Sequence, residues 1–141
     1  MNDLTAHVST EINAPIEKVW DALTKPELVK QYFFGVDLVT DWVEGSDIIY
    51  KGEWEGVPFE EKGTVLKVDK PTQLVSNYWS PSYGLPDTIE NRQVITYDLE
   101  ENDGKTTVSI SQEGSKTKEA KEHSEANWKL VLDGMKELLE K

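Results

Sequence analysis

Seventeen residues near the N-terminus, Asn13 to Val29, constrain the fold more than any other stretch. Pro15 suits the first turn of a helix, where its missing N–H would have had no partner anyway. Ile16, Val19, Trp20 and Leu23 then fall at i, i+3, i+4 and i+7, one apolar stripe. Thr24 with Glu27 reads as a T-x-x-E capping box, which predicts a second helix starting there with Pro26 in its first turn. Just upstream, Leu4, Ala6, Val8, Thr10 and Ile12 alternate with Thr5, His7, Ser9 and Glu11, the period of a half-buried strand. A strand followed at once by two short helices, ending near Tyr32, is an unusual opening and narrows the architecture sharply.

The rest of the chain alternates up to about Gln112. Short strands are predicted at Val36 to Val39, at Ile48 to Trp54, at Phe59 to Val68, at Leu74 to Trp79, at Ile89 to Leu99 and around Thr106 to Ile110. The turns between them carry turn chemistry, strongest at Asn102-Asp103-Gly104. Phe33-Phe34-Gly35 reads as a break, and Ser80 to Asp87 as the one long irregular loop. From Thr117 the period changes to that of a helix. Ala120, Asn127, Trp128, Val131, Leu132, Met135, Leu138 and Leu139 share one face, and charged residues the other. On the charged face, Glu125 is placed to pair with Lys129. The order is thus β, α, α, a meander of about six strands, then α. A meander with one apolar face must cover it, and the last helix is the element long enough to do so. An α+β fold follows, a curved antiparallel sheet wrapped around a long C-terminal helix, in a single domain spanning residues 1–141.

Charge excludes several functions. Fifteen basic against 27 acidic residues leave a net charge of −12. Such a field repels a phosphate backbone, so neither nucleic acid nor an anionic membrane surface is an expected partner. The chain has no cysteine, which removes disulfides, thiolate metal sites and cysteine nucleophiles and suits a reducing cytoplasm. The first residues lack the basic and apolar regions of a signal peptide, and no apolar run approaches a membrane span.

The order of elements, with specific residues, resembles the helix-grip superfamily (START-like, birch-allergen-like, SRPBCC). Within it the chain resembles the family of homologues of the activator of the heat-shock protein 90 ATPase. The carriers are Ile12-Asn13-Ala14-Pro15-Ile16-Glu17-Lys18-Val19-Trp20-Asp21-Ala22-Leu23-Thr24 with Pro26-Glu27-Leu28, then Trp54, Gly63 to Pro71, Leu74 to Tyr78, and Ala126-Asn127-Trp128 to Leu132. No single motif among them is catalytic. The resemblance implies a small, cytosolic, cofactor-free protein whose sheet and helix enclose a cavity for apolar or aromatic ligands. The chaperone activator itself also carries a separate N-terminal domain that makes much of the chaperone contact. Here the grip fold is expected to begin almost at Met1, without that domain, so co-chaperone activity does not follow from the family alone.

Catalytic and metal-binding signatures are missing from the sequence. No phosphate-binding glycine loop, H-E-x-x-H or G-x-S-x-G occurs. His7 and His123 lie on different elements, so no metal site is expected. Glu60 and Glu61 are adjacent in a strand and point to opposite faces, which favours an exposed pair over an acid–base couple. The aromatic residues are the better lead. Tyr50, Trp54, Tyr78 and Tyr97 fall on apolar strand faces and Trp128 on the covering helix, more rings than one helix needs for solid packing. Gln93 and Asn127 are polar where the pattern expects apolar residues. They either bond each other or a water, or face a ligand. Tyr83 and Leu85, apolar in a polar loop, could form a lid over the mouth, with His123 nearby. The expected function is a cofactor-free module holding a small apolar or aromatic ligand through Tyr50, Trp54, Tyr78, Gln93, Tyr97, Asn127 and Trp128. The alternatives are a protein-interaction module of the co-chaperone kind and, behind it, a cyclase- or lyase-like enzyme.

Overall fold

A computed structural model describes residues 4–33, 35–80, 84 and 86–140, with the backbone only for Trp54 and Ile89. Strand β1 (Ala6–Ile12) buries Ala6 and Ile12 and leads into α1 (Ile16–Thr24), whose N-cap is Pro15. The predicted stripe turns Val19, Trp20 and Leu23 into the core. The capping box does not form. Thr24 remains in the last turn of α1, where its hydroxyl donates to the Trp20 carbonyl at 2.9 Å. The break falls instead at Lys25, which is extended (φ −83°, ψ 119°), because a residue before proline is pushed out of the helical region. Helix α2 (Pro26–Tyr32) then starts without a side-chain cap.

Among the described residues seven strands form one antiparallel sheet in the order β1-β7-β6-β5-β4-β3-β2. They are β2 (Asp37–Val39), β3 (Asp47–Trp54), β4 (Val57–Asp69), β5 (Gln73–Trp79), β6 (Gln93–Asn102) and β7 (Lys105–Glu113). Two hairpins use two-residue turns with positive φ at both positions, Glu55-Gly56 and Asp103-Gly104. In β4 the register shifts between Val65 and Lys67, a bulge that bends the longest strand and leaves Leu66 exposed. The strand predicted over Ile89 to Leu99 starts late. Ile89–Asn91 is a 3-10 turn, pinned by Asn91 Nδ2 donating to the Pro86 carbonyl at 3.0 Å. Arg92 then grips Asp87 with two contacts, at 2.8 and 3.1 Å, and donates to Thr64 Oγ1 and Asn77 Oδ1.

Helix α3 (Lys118–Leu139) is capped by Thr117, whose side chain accepts from the Ala120 N–H. It lays Trp128, Val131, Leu132 and Met135 against a core that includes Ile12, Ile48, Val65, Leu74, Val108 and Ile110. The other side of α3 dresses the outer edge of β1. Glu125 accepts from the His7 N–H at 3.0 Å, Glu140 from the Asn13 N–H at 2.9 Å, and Lys136 donates to the Glu11 carbonyl at 2.7 Å. The expected Glu125–Lys129 pair is therefore replaced by a carboxylate on a strand edge. That is the stronger use, because an open edge invites pairing with another chain. Among the described residues no helix is long and apolar enough to cross a membrane.

Candidate functional site

The turn after β3, the end of β5, the end of β7 and the start of α3 all lie at one end of the sheet. A pocket of about 380 Å³ opens there and runs inward between the sheet and α3. Glu53, Phe59, Ser80, His123, Ser124 and Asn127 line it together with Phe33, Val36, Tyr50, Glu61, Tyr78, Ile95, Tyr97, Gln112, Trp128 and Val131. Its inner neighbour, a void of about 20 Å³ beyond Phe33, has room for about one water. The hollow therefore lies at one end of the sheet.

The rings meet as near-perpendicular walls. Tyr50 and Tyr78 stand 5.6 Å apart at 70°, Tyr97 and Trp128 5.8 Å at 87°, and Phe33 and Trp128 5.9 Å at 75°. Phe33 also stacks on Tyr50 at 6.2 Å. Phe59 lies across its register partner Gly52, whose missing Cβ is what gives the ring its seat. A polar line runs behind the rings. Trp128 Nε1 donates to Gln112 Oε1 at 2.7 Å, and Gln112 Nε2 donates to Gln93 Oε1. That line fixes the indole against the sheet and satisfies a buried donor. Burial first, and neighbouring charge second, pushes the phenols of Tyr32, Tyr50 and Tyr97 upward, so they stay neutral. The charge acting on Tyr50 is that of Glu61.

Of the residues singled out from sequence, the structure brings Tyr50, Tyr78, Tyr97, Asn127 and Trp128 to this pocket. Gln93 stands one residue back, holding Gln112, and does not bond Asn127. Asn127 is exposed on the mouth side of α3. The Trp54 side chain and residues Tyr83 and Leu85 lie outside the described residues. The expectation that Glu60 and Glu61 form an exposed pair fails for Glu61. Alternation sends Glu60 outward and Glu61 into the pocket, where its carboxylate accepts from Ser80 Oγ at 2.9 Å. Glu61 lies on the same face of β4 as the buried Val65, the face turned toward the core, and is half-buried there.

Sequence reasoning also missed Phe33, Phe59 and Gln112. Phe33 sits in the break after α2, where no period could assign it a face. Phe59 and Gln112 follow the alternation of β4 and β7, and counting outward from Val65 and Ile110 would have found them. Among the described residues no three His, Cys, Asp or Glu side chains gather closely enough to hold a metal.

A sheet closed over one long helix, hollow at one end, defines the helix-grip class. Residues 13–140 match the model of the family described as Activator of Hsp90 ATPase homolog 1-like protein, and the chain belongs to that family. The solution structure of ChR145 from Cytophaga hutchinsonii is 45% identical, with a TM-score of 0.85 over 99% of this chain and 97% of that one. The crystal structure of MLL2253 from Mesorhizobium loti is 21% identical, with a TM-score of 0.80 over 96% of both chains. DynU16, a protein in the dynemicin biosynthetic locus, is 18% identical, with a TM-score of 0.83 over 99% of this chain and 48% of that one. The last two likenesses concern the fold alone. No protein of curated function matches the chain.

Proposed function

We propose that this protein is a binding module for a small molecule with an apolar or aromatic body, held between the sheet and α3. One observation carries the reading. Phe33, Tyr50, Phe59, Tyr78, Tyr97 and Trp128 line a hollow of about 380 Å³ instead of filling it. Small-molecule sites commonly measure about 300–1,000 Å³, with apolar walls and a few fixed polar groups. Here the polar groups include Gln112, Asn127, Ser80 and Glu61. Rings supply contact area, and the Gln93–Gln112–Trp128 line holds one wall still so that little ordering is left to binding. We read the chain as one domain, residues 1–141, working without a cofactor in the cytoplasm, a compartment that a cysteine-free chain suits.

A thermal-shift screen against sterols, flavonoids, polyketides, fatty acids and aromatic amines tests this. A ligand at 100 times its Kd adds about 2.7 kcal/mol, easily seen as a rise in Tm. Stabilisation by no class would remove the reading. Family membership supports a second one, a protein-interaction module of the co-chaperone kind. It predicts faster ATP turnover by an Hsp90-type chaperone on addition of this protein, and an unchanged rate would remove it.

A further inference from the structure

The polar chemistry of the pocket is one-sided. Glu61 projects from β4 beside its register partner Tyr50. Its carboxylate accepts a hydrogen bond from Ser80 Oγ, and among the described residues no cation pairs with it. Its charge reaches the interior, since it contributes to holding the proton on Tyr50. A second carboxylate, Glu53, stands at the mouth. No lysine or arginine is among the described lining residues, and the one basic side chain is His123, exposed at the rim.

Two further observations point the same way. Tyr50 and Tyr97 are only 6% and 8% exposed, and among the described residues neither hydroxyl has a hydrogen-bond partner. Both residues line the pocket, so a group in the hollow meets their hydroxyl oxygens, whose lone pairs favour a positive one. The rings around them stand near-perpendicular, at 70° for Tyr50–Tyr78 and 87° for Tyr97–Trp128, as adjacent walls of a box. A box of π faces attracts a cation by its quadrupoles, most strongly where water is excluded. At longer range the net charge of −12 concentrates cations near the protein and disfavours anions.

We propose that the pocket takes an organic cation, an amine or quaternary ammonium on a ring-containing apolar body. The charged nitrogen sits beside Glu61 and the rings of Tyr50 and Tyr78. The body runs inward toward Ile95, Trp128 and Val131. Carboxylate-bearing molecules of the same size, fatty acids included, are rejected by Glu61. This inference rests on the binding-module reading and names the class of molecule that module selects.

Three matched probes test it on the intact protein. They are a naphthylmethyl-trimethylammonium ion, its neutral isostere with carbon replacing nitrogen, and naphthylacetate, each titrated by calorimetry and by tryptophan fluorescence. The ammonium ion should bind roughly ten-fold tighter than the neutral isostere, with naphthylacetate weakest, because a desolvated cation–π contact beside a carboxylate exceeds about 1.4 kcal/mol. Glu61→Gln should remove most of that advantage while leaving the neutral isostere within about two-fold of its original Kd, as loss of one charge without loss of shape requires. The neutral probe also reports whether the variant pocket is intact, and the comparison of probes on the unmodified protein needs no variant. Equal binding of ammonium and neutral probes, or tightest binding of naphthylacetate, overturns the inference and leaves the pocket reading standing. Binding of none of the three overturns the inference, and together with no stabilisation across the thermal-shift panel it overturns both.

Discussion

Replacing Gln112 with leucine tests how the pocket wall is held. Gln112 accepts from the buried Trp128 indole at 2.7 Å and donates to Gln93. Leucine keeps roughly the volume, so little cavity forms, but the indole N–H loses its acceptor while Trp128 is only 7% exposed. An orphaned buried donor costs about 1–3 kcal/mol. Gln93 is half-buried and can turn to water, so it adds little. The expected loss is about 2 kcal/mol, or roughly 6–8 °C in Tm for a chain of this size. Gln112 has other contacts, so the single variant alone is ambiguous. A double-mutant cycle with Trp128→Phe isolates the bond. Without the indole donor, Gln112→Leu should cost much less, giving a coupling of about 1–2 kcal/mol in urea unfolding. Additivity within about 0.5 kcal/mol would refute the argument that this bond fixes the wall.

Four other outcomes follow from particular contacts. Gly63→Ala drives a Cβ into the Asn77 carbonyl oxygen, which is ladder backbone and cannot step aside, so urea unfolding should show a loss of about 1–3 kcal/mol. Gly52→Ala meets the far end of the Phe59 ring first, so stability should fall by less than about 1 kcal/mol while ligand affinity changes as the ring leaves its seat. Asp87 is held below the usual carboxylate range by hydrogen bonds from Arg92. A depressed folded-state pKa adds stability above the unfolded value, and that stability is lost as pH falls through the folded one. Asp87→Asn should therefore be less stable than the parent at neutral pH, and the gap should close as pH falls through the acid range. A constant gap at all pH values would contradict the assignment. Glu125→Ala uncovers the outward N–H of β1, so the His7 amide should exchange with solvent faster, at a stability cost of about 1 kcal/mol.

The sequence carried the element order because its periods are clean. Alternation marked the sheet, the change at Thr117 marked α3, and Pro15 and Pro26 bracketed the paired helices. Rings on strand faces were readable for the same reason, which is how Tyr50, Tyr78, Tyr97 and Trp128 came to notice. What periodicity cannot give is the partner of a polar group. Thr24 bonded back within its own helix, Glu125 went to a strand edge instead of Lys129, and Gln93 found Gln112 instead of Asn127. Each choice depends on contacts between residues far apart in the chain. Glu61 was misplaced for a different reason. A charged residue is assumed to face water, whereas the alternation of β4 counted from the buried Val65 puts this one on the inward face.

The account turns on a hollow beside Trp128 that receives a ligand, and indole resonances report it directly. In a nitrogen-15 NMR titration with the naphthylmethyl-trimethylammonium ion, the Trp128 indole N–H should shift and saturate. The indoles of Trp20, packed in the core by α1, and Trp42, bonded to the Thr24 carbonyl, should stay in place. A saturating shift at Trp20 or Trp42 with Trp128 unmoved would contradict it, as would a Trp128 resonance indifferent to this probe and to every member of the thermal-shift panel.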